Sequence, residues 1–143
     1  MKTILFVCTG NTCRSPMAEV LFNTLFSDST DITTKSAGIS VQEGLPASQN
    51  AVIAAGELGA DLSRHRARQI SWELIDESAA IYCMTESHAQ MLKMLFPDAA
   101  DKIKVVGGGI GDPFGGNIDV YRKCRDQILD ALKNIKQDLE GMV

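Results

Sequence analysis

Four consecutive apolar residues, Ile4-Leu5-Phe6-Val7, run directly into Cys8-Thr9-Gly10-Asn11-Thr12-Cys13-Arg14-Ser15-Pro16, and Pro16 opens a helical pattern. So short and so apolar a run predicts a strand covered on both faces, hence a parallel sheet between helices. The loop interior holds Gly10 and Asn11, residue types that enter positive φ readily. Such a strand-loop-helix turns backbone N–H groups and a helix N-terminus toward one point, which suits a phosphate dianion. Arg14 follows Cys8 by six positions and can reach back to hold two phosphoryl oxygens with its planar fork. Thr9, Gly10, Asn11, Thr12, Cys13, Arg14 and Ser15 are therefore read as an anion cradle with Cys8 at its floor.

Two other readings of this loop were weighed. A nucleotide triphosphate loop ends in Gly-Lys-Ser/Thr, and the chain has no such triplet. Cys8 taken alone reads as a small buried hydrophobe ending a strand. Its spacing from Arg14 changes that, because amide dipoles, a helix end and a guanidinium all favour a thiolate. A thiolate at the floor of a phosphate cradle is a phosphoryl acceptor.

The 143 residues suit one domain, 1–143, and a 45% hydrophobic content supplies one substantial core. Fourteen basic residues against eighteen acidic ones argue against nucleic acid or an anionic membrane as partner. The start shows no secretory signal pattern, and no apolar run approaches the ~18 residues of a membrane span. A cytoplasmic monomer with its four cysteines reduced is expected. The scheme calls for no metal and no cofactor.

Along the chain, Met17, Ala18, Val20, Leu21 and Leu25 predict a helix with Ser15 as N-cap and Pro16 first, ending near Ser27-Asp28-Ser29. Ile32–Ala37 reads as a second strand, and residues 47–58 as a helix closed by Gly59. Residues 71–77 read as a short helix with Trp72 and Ile75 turned inward. Residues 79–84 supply the third strand, with Cys83 in the core. Residues 86–96 form a helix with Met91, Leu92, Met94 and Leu95, whose two methionines fill the core and whose His88 faces solvent. Residues 102–106 give the fourth strand, and the glycine-dense stretch 107–117 an active-site loop. A long amphipathic helix starts at Asp119, with Val120, Tyr121, Cys124, Ile128, Leu132, Ile135 and Leu139 on its apolar stripe. Alternating strands and helices predict an α/β, doubly wound parallel sheet whose ligands bind at the carboxyl ends of the strands.

Val7–Pro16, Ser36-Ala37-Gly38, Asp61–Arg68 and Asp112-Pro113-Phe114-Gly115-Gly116, in this order, resemble the low-molecular-weight protein tyrosine phosphatases. They resemble most their relatives, the bacterial protein arginine phosphatases. The resemblance spans nearly the whole chain and implies a four-stranded sheet in the order 2-1-3-4. It implies Cys8, Arg14 and Asp112 as catalytic residues, with Asp112 the general acid; Asp-Pro alone would read as a turn. It implies that Ser36 and His65 support Asn11, although Ser36 also reads as an ordinary strand-end hydroxyl. The arginines around His65 otherwise read as a solvated surface.

The resemblance implies a phosphorylated protein as substrate. Where tyrosine-specific members carry an aliphatic residue this chain has Thr12, and after Asp-Pro it has only Phe114 before two glycines. A hydroxyl can bond a guanidinium where an aliphatic wall would grip a phenyl ring. Thr12 and Phe114 are therefore the specificity residues, and they favour phosphoarginine over phosphotyrosine. Arsenate reduction and non-catalytic phosphopeptide binding are the remaining alternatives. Cys13 reads either as a packing thiol or as the residue that captures an oxidised Cys8 in a disulfide, a redox control known in the family.

Overall fold

The computed structural model describes residues 2–26 and 31–140. Its strands are β1 (Lys2–Cys8), β2 (Ile32–Gly38), β3 (Ser78–Cys83) and β4 (Ile103–Val105). Its helices are α1 (Arg14–Leu25), α2 (Gln49–Gly56), α3 (Trp72–Glu77), α4 (Glu86–Leu95) and α5 (Ile118–Glu140). All neighbouring strands pair in parallel, in the order β2-β1-β3-β4. The α/β expectation and the strand order both hold.

β1 explains the layering. Successive side chains of a strand point to opposite faces. Ile4 and Phe6 join Cys8 on the face covered by α1, α2 and α5, and Leu5 and Val7 pack on the face covered by α3 and α4. All four apolar residues of the run are fully buried. The register sets Cys8 beside Gly38, and Val7 beside Cys83, which in turn faces Val105. The carboxyl ends of all four strands thus lie along one edge, where the loops after β1 and β4 emerge.

Several boundaries differ from expectation. α1 begins at Arg14, so Ser15 and Pro16 lie inside its first turn. Cys13 occupies the cap position with no side-chain hydrogen bond to the helix. The expected end of this helix at Ser27–Ser29 lies outside the described residues. α2 is shorter than predicted but closes through Gly59 (φ 84°), with Gly59 N–H donating to the Gly56 carbonyl and Ala60 N–H to the Ala55 carbonyl. That pairing is a Schellman stop.

Four apolar side chains face the other way. Trp72 is half exposed and stacks on Phe96 at 6.2 Å instead of entering the core. Met91 and Met94 are exposed too, because the buried stripe of α4 is His88, Ala89 and Leu92. Val120 also stays outside, against Gly116. Among the described residues no helix is long and apolar enough to cross a membrane.

Candidate active site

The loop after β1 closes around the Cys8 thiol. Cys8 Sγ accepts the Asn11 N–H at 3.3 Å and lies 2.9 Å from Ser15 Oγ. Each contact can place a hydrogen on the sulfur. Arg14 is buried, and its Nη1 donates to the Ile110 carbonyl at 2.8 Å while Nη2 stands 3.8 Å from Asp112 Oδ2. Cys8, Thr9, Gly10, Thr12, Cys13, Arg14, Asp112 and Phe114 line one pocket of about 210 Å³. Residues more than a hundred positions apart therefore share a cavity, with Asp112 and Phe114 exposed at its rim.

Asn11 is the pin of the loop. It alone of the non-glycine residues described takes positive φ, at 58°, and its side chain is wholly buried. Nδ2 donates to Ser15 Oγ at 2.9 Å and to Ser36 Oγ at 3.0 Å, while Oδ1 accepts the Arg68 N–H at 2.9 Å. Its carbonyl meets His65 Nε2 at 2.7 Å. Ser36 and His65 thus reach Asn11 from β2 and from the segment before α3. Gly10 does not share the positive φ expected of it, because Asn11 makes the turn.

Sequence reading misses Glu19, whose carboxylate accepts the Ser36 hydroxyl at 2.5 Å, and places Arg68 on a solvated surface, whereas its Nε donates to the Ser36 carbonyl at 3.0 Å. The signal for Glu19 was its place four residues after Ser15, on the same face of α1. Arg64 and Arg66, in contrast, are exposed. His88 overturns the reading of it as exposed: it is buried against Thr9, because α4 turns that face to the loop.

The four cysteines divide sharply. Cys13 lies at the pocket with Sγ 3.4 Å from both Ser48 Oγ and Tyr121 Oη. Burial pushes the Cys83 thiol up to about 12, and does the same to Cys124. Such thiols stay protonated and inert. Cys83 sits on the opposite face of the sheet from Cys8, so it cannot serve as the relay an arsenate reductase needs.

Gly38 is as constrained as the nucleophile it adjoins. Its backbone accepts the Ile70 N–H, while the next two amides, of Ile39 and Ser40, bond the Cys8 and Thr9 carbonyls at 3.0 Å each. A Cβ there would stand 2.4 Å from Val41 Cγ2, 2.6 Å from the Thr9 carbonyl oxygen and 3.0 Å from the Asn11 nitrogen. Two of those atoms are loop backbone and cannot swing aside. Gly38→Ala is expected to lower stability by about 1–3 kcal/mol and to lower activity with it; a melt and activity matching the unsubstituted protein would contradict the close packing.

The family described as low molecular weight phosphotyrosine protein phosphatase matches residues 3–142. The chain belongs to this family. A protein-arginine-phosphatase of Geobacillus stearothermophilus is 39% identical over 96% of the chain and 95% of the relative. The solved YwlE arginine phosphatase of that organism superposes with a TM-score of 0.92 over 99% of this chain and 95% of that one. A YwlE arginine phosphatase solved as a cysteine-to-serine mutant with a phosphorylated active-site serine has the same TM-score at 34% identity, over 96% and 95% of the two chains. An arsenate reductase of Staphylococcus aureus is 32% identical over 94% of the chain and 96% of the relative. The family makes the chain a cysteine-dependent protein phosphatase.

Proposed function

We propose that this phosphatase hydrolyses phosphoarginine in proteins through a phosphorylated Cys8. The observation that carries the chemistry is the Cys8 thiol at the pocket floor, bonded by Asn11 N–H and Ser15 Oγ, below an arginine that reaches Asp112. Cys8 sulfur attacks phosphorus as the bond to the leaving nitrogen breaks, and Asp112 gives that nitrogen a proton. Asp112 then takes a proton from the water that cleaves the S–P bond, releasing phosphate and the thiolate. Arg14 and the loop amides hold the equatorial charge throughout. The N-terminus of α1 suits this, because the Cys13 side chain at its cap position takes none of its N–H groups. A related arginine phosphatase whose serine replacement carries a phosphoryl group supports Cys8 as the acceptor.

Thr12 supports the substrate assignment. It lines the pocket with a hydroxyl, and the only aromatic rim residue among those lining it is Phe114. Purified protein assayed side by side on phosphoarginine and phosphotyrosine peptides tests the reading: preference for phosphotyrosine overturns it. Thr12→Ile is expected to move the ratio of the two kcat/KM values toward phosphotyrosine by more than about threefold, a shift exceeding ~0.6 kcal/mol. A smaller shift removes Thr12 as the discriminator.

We further propose redox control at the same site. Peroxide converts the Cys8 thiolate to sulfenic acid; the Cys13 thiol then attacks that sulfur, forming a disulfide and releasing water. Peroxide inactivation of the protein is expected to reverse with thiol reductant, and that of Cys13→Ala not to. Mass spectrometry finding Cys8 only as sulfinic or sulfonic acid, without a linked loop, would sink this. The protein is proposed to work as a single-domain cytoplasmic monomer that does not engage nucleic acid.

A further inference from the structure

The scheme above leaves one contact at the pocket wall unused. His88 sits in the first turn of α4, where its backbone N–H donates to Thr85 Oγ1 at 3.2 Å. Its side chain is 9% exposed, and Nε2 lies 2.8 Å from Thr9 Oγ1. Nδ1 is buried and has no hydrogen-bond partner. Burial first, then the nearby Arg14 charge, lower the imidazole's pKa, with Asp112 opposing, so the ring is neutral at pH 7.

A neutral imidazole carries one N–H, and there are two places for it. With Thr9 donating to Nε2, the proton sits on Nδ1 as a buried N–H without an acceptor. With Nε2–H donating to Thr9, only a lone pair is left unpaired. Orphaned buried N–H groups are the rarer defect, which selects the second arrangement. Thr9 oxygen then accepts from the ring, and its own hydrogen cannot point at His88. It is left for the pocket that Thr9 lines.

We propose that His88 is a positioning residue that holds the Thr9 hydroxyl as a hydrogen-bond donor to a phosphoryl oxygen of the substrate. A charged phosphoryl oxygen is the acceptor best suited to a hydroxyl donor at that wall. The inference rests on the phosphatase activity of the family and not on the choice of phosphoarginine.

Four variants test it: His88→Leu, His88→Gln, Thr9→Val and the Thr9→Val/His88→Leu pair. Each is assayed for kcat/KM on phosphoarginine and phosphotyrosine peptides and for inhibition by inorganic phosphate, with thermal melts alongside. His88→Leu and Thr9→Val are each expected to lower kcat/KM on the preferred peptide by about tenfold, as loss of one hydrogen bond to a charged group does. Both should weaken phosphate inhibition, and the pair should fall no more than about threefold below either single variant. His88→Gln, whose amide can still donate, is expected to stay within about threefold of the unsubstituted protein. Multiplicative losses in the pair, unchanged phosphate inhibition, or His88→Gln as impaired as His88→Leu would overturn it. Should His88→Leu not fold, Thr9→Val still decides, and its full retention of activity and phosphate inhibition refutes the proposal. Preference of the unsubstituted protein between the two peptides bears separately on the substrate assignment.

Discussion

Cys8→Ser lowers turnover by more than about a thousandfold while leaving inorganic phosphate or vanadate bound with nearly unchanged affinity. A serine hydroxyl keeps its proton near neutral pH, and the loop has no general base beside position 8 to take it; Ser15 offers only another hydroxyl. The cradle, however, does not depend on sulfur. Asn11 is pinned by Ser15, Ser36, Arg68 and His65, and Arg14 by the Ile110 carbonyl, so the oxyanion partners survive the change. Turnover and ligand binding should therefore separate. Residual activity above roughly one part in a thousand would contradict a phosphocysteine intermediate, and loss of phosphate binding would mean that sulfur, not the cradle, holds the ligand.

Asp112→Asn is expected to slow cleavage of phosphopeptides by about 10²–10⁴-fold, the contribution of a well-placed general acid. The same variant should lose less than about tenfold on an activated aryl phosphate, whose leaving group departs without a proton. The contrast discriminates because the carboxylate does little else. It is more than half exposed and 3.8 Å from Arg14, a separation and a setting in which an ion pair adds little stability. Its other visible contact is the Phe114 N–H, which an asparagine oxygen can also accept. Equal losses on good and poor leaving groups would remove Asp112 as the proton donor.

How much of this was legible in the sequence differs between backbone and side chains. The β1 run and the Cys8–Arg14 spacing disclosed the strand, the loop and the edge of the sheet because local pattern and tertiary role coincide there. Ser36 and His65 became visible through family resemblance, since nothing local ties them to Asn11. α4 was misread on one face. Of its apolar residues Met91, Leu92, Met94 and Leu95 only Leu92 is buried, and the helix buries His88 and Ala89 beside it. A histidine at a stripe position counts as polar in any periodicity reading, and its burial depends on Thr9, nearly eighty residues away. Glu19 escaped for the same reason, its partner Ser36 lying on β2, seventeen residues further along the chain.

The two halves of the catalytic apparatus are tied to parts of the molecule that should come apart at different times. Cys8 ends the central strand, whose Ile4, Leu5, Phe6 and Val7 are fully buried between two helical layers. Asp112 rides on a loop anchored by the Ile110 amide on Met84, the Ile110 carbonyl on Arg14, and long contacts from the Cys124 thiol to the Gly111 carbonyl and from Asn50 to Gly116. Amide exchange should accordingly be slowest at β1 and much faster from 111 to 117, since opening free energies follow buried contacts. Gentle warming or low denaturant would then yield a species that still captures phosphate but no longer protonates a leaving group. Activity would fade before anion binding does.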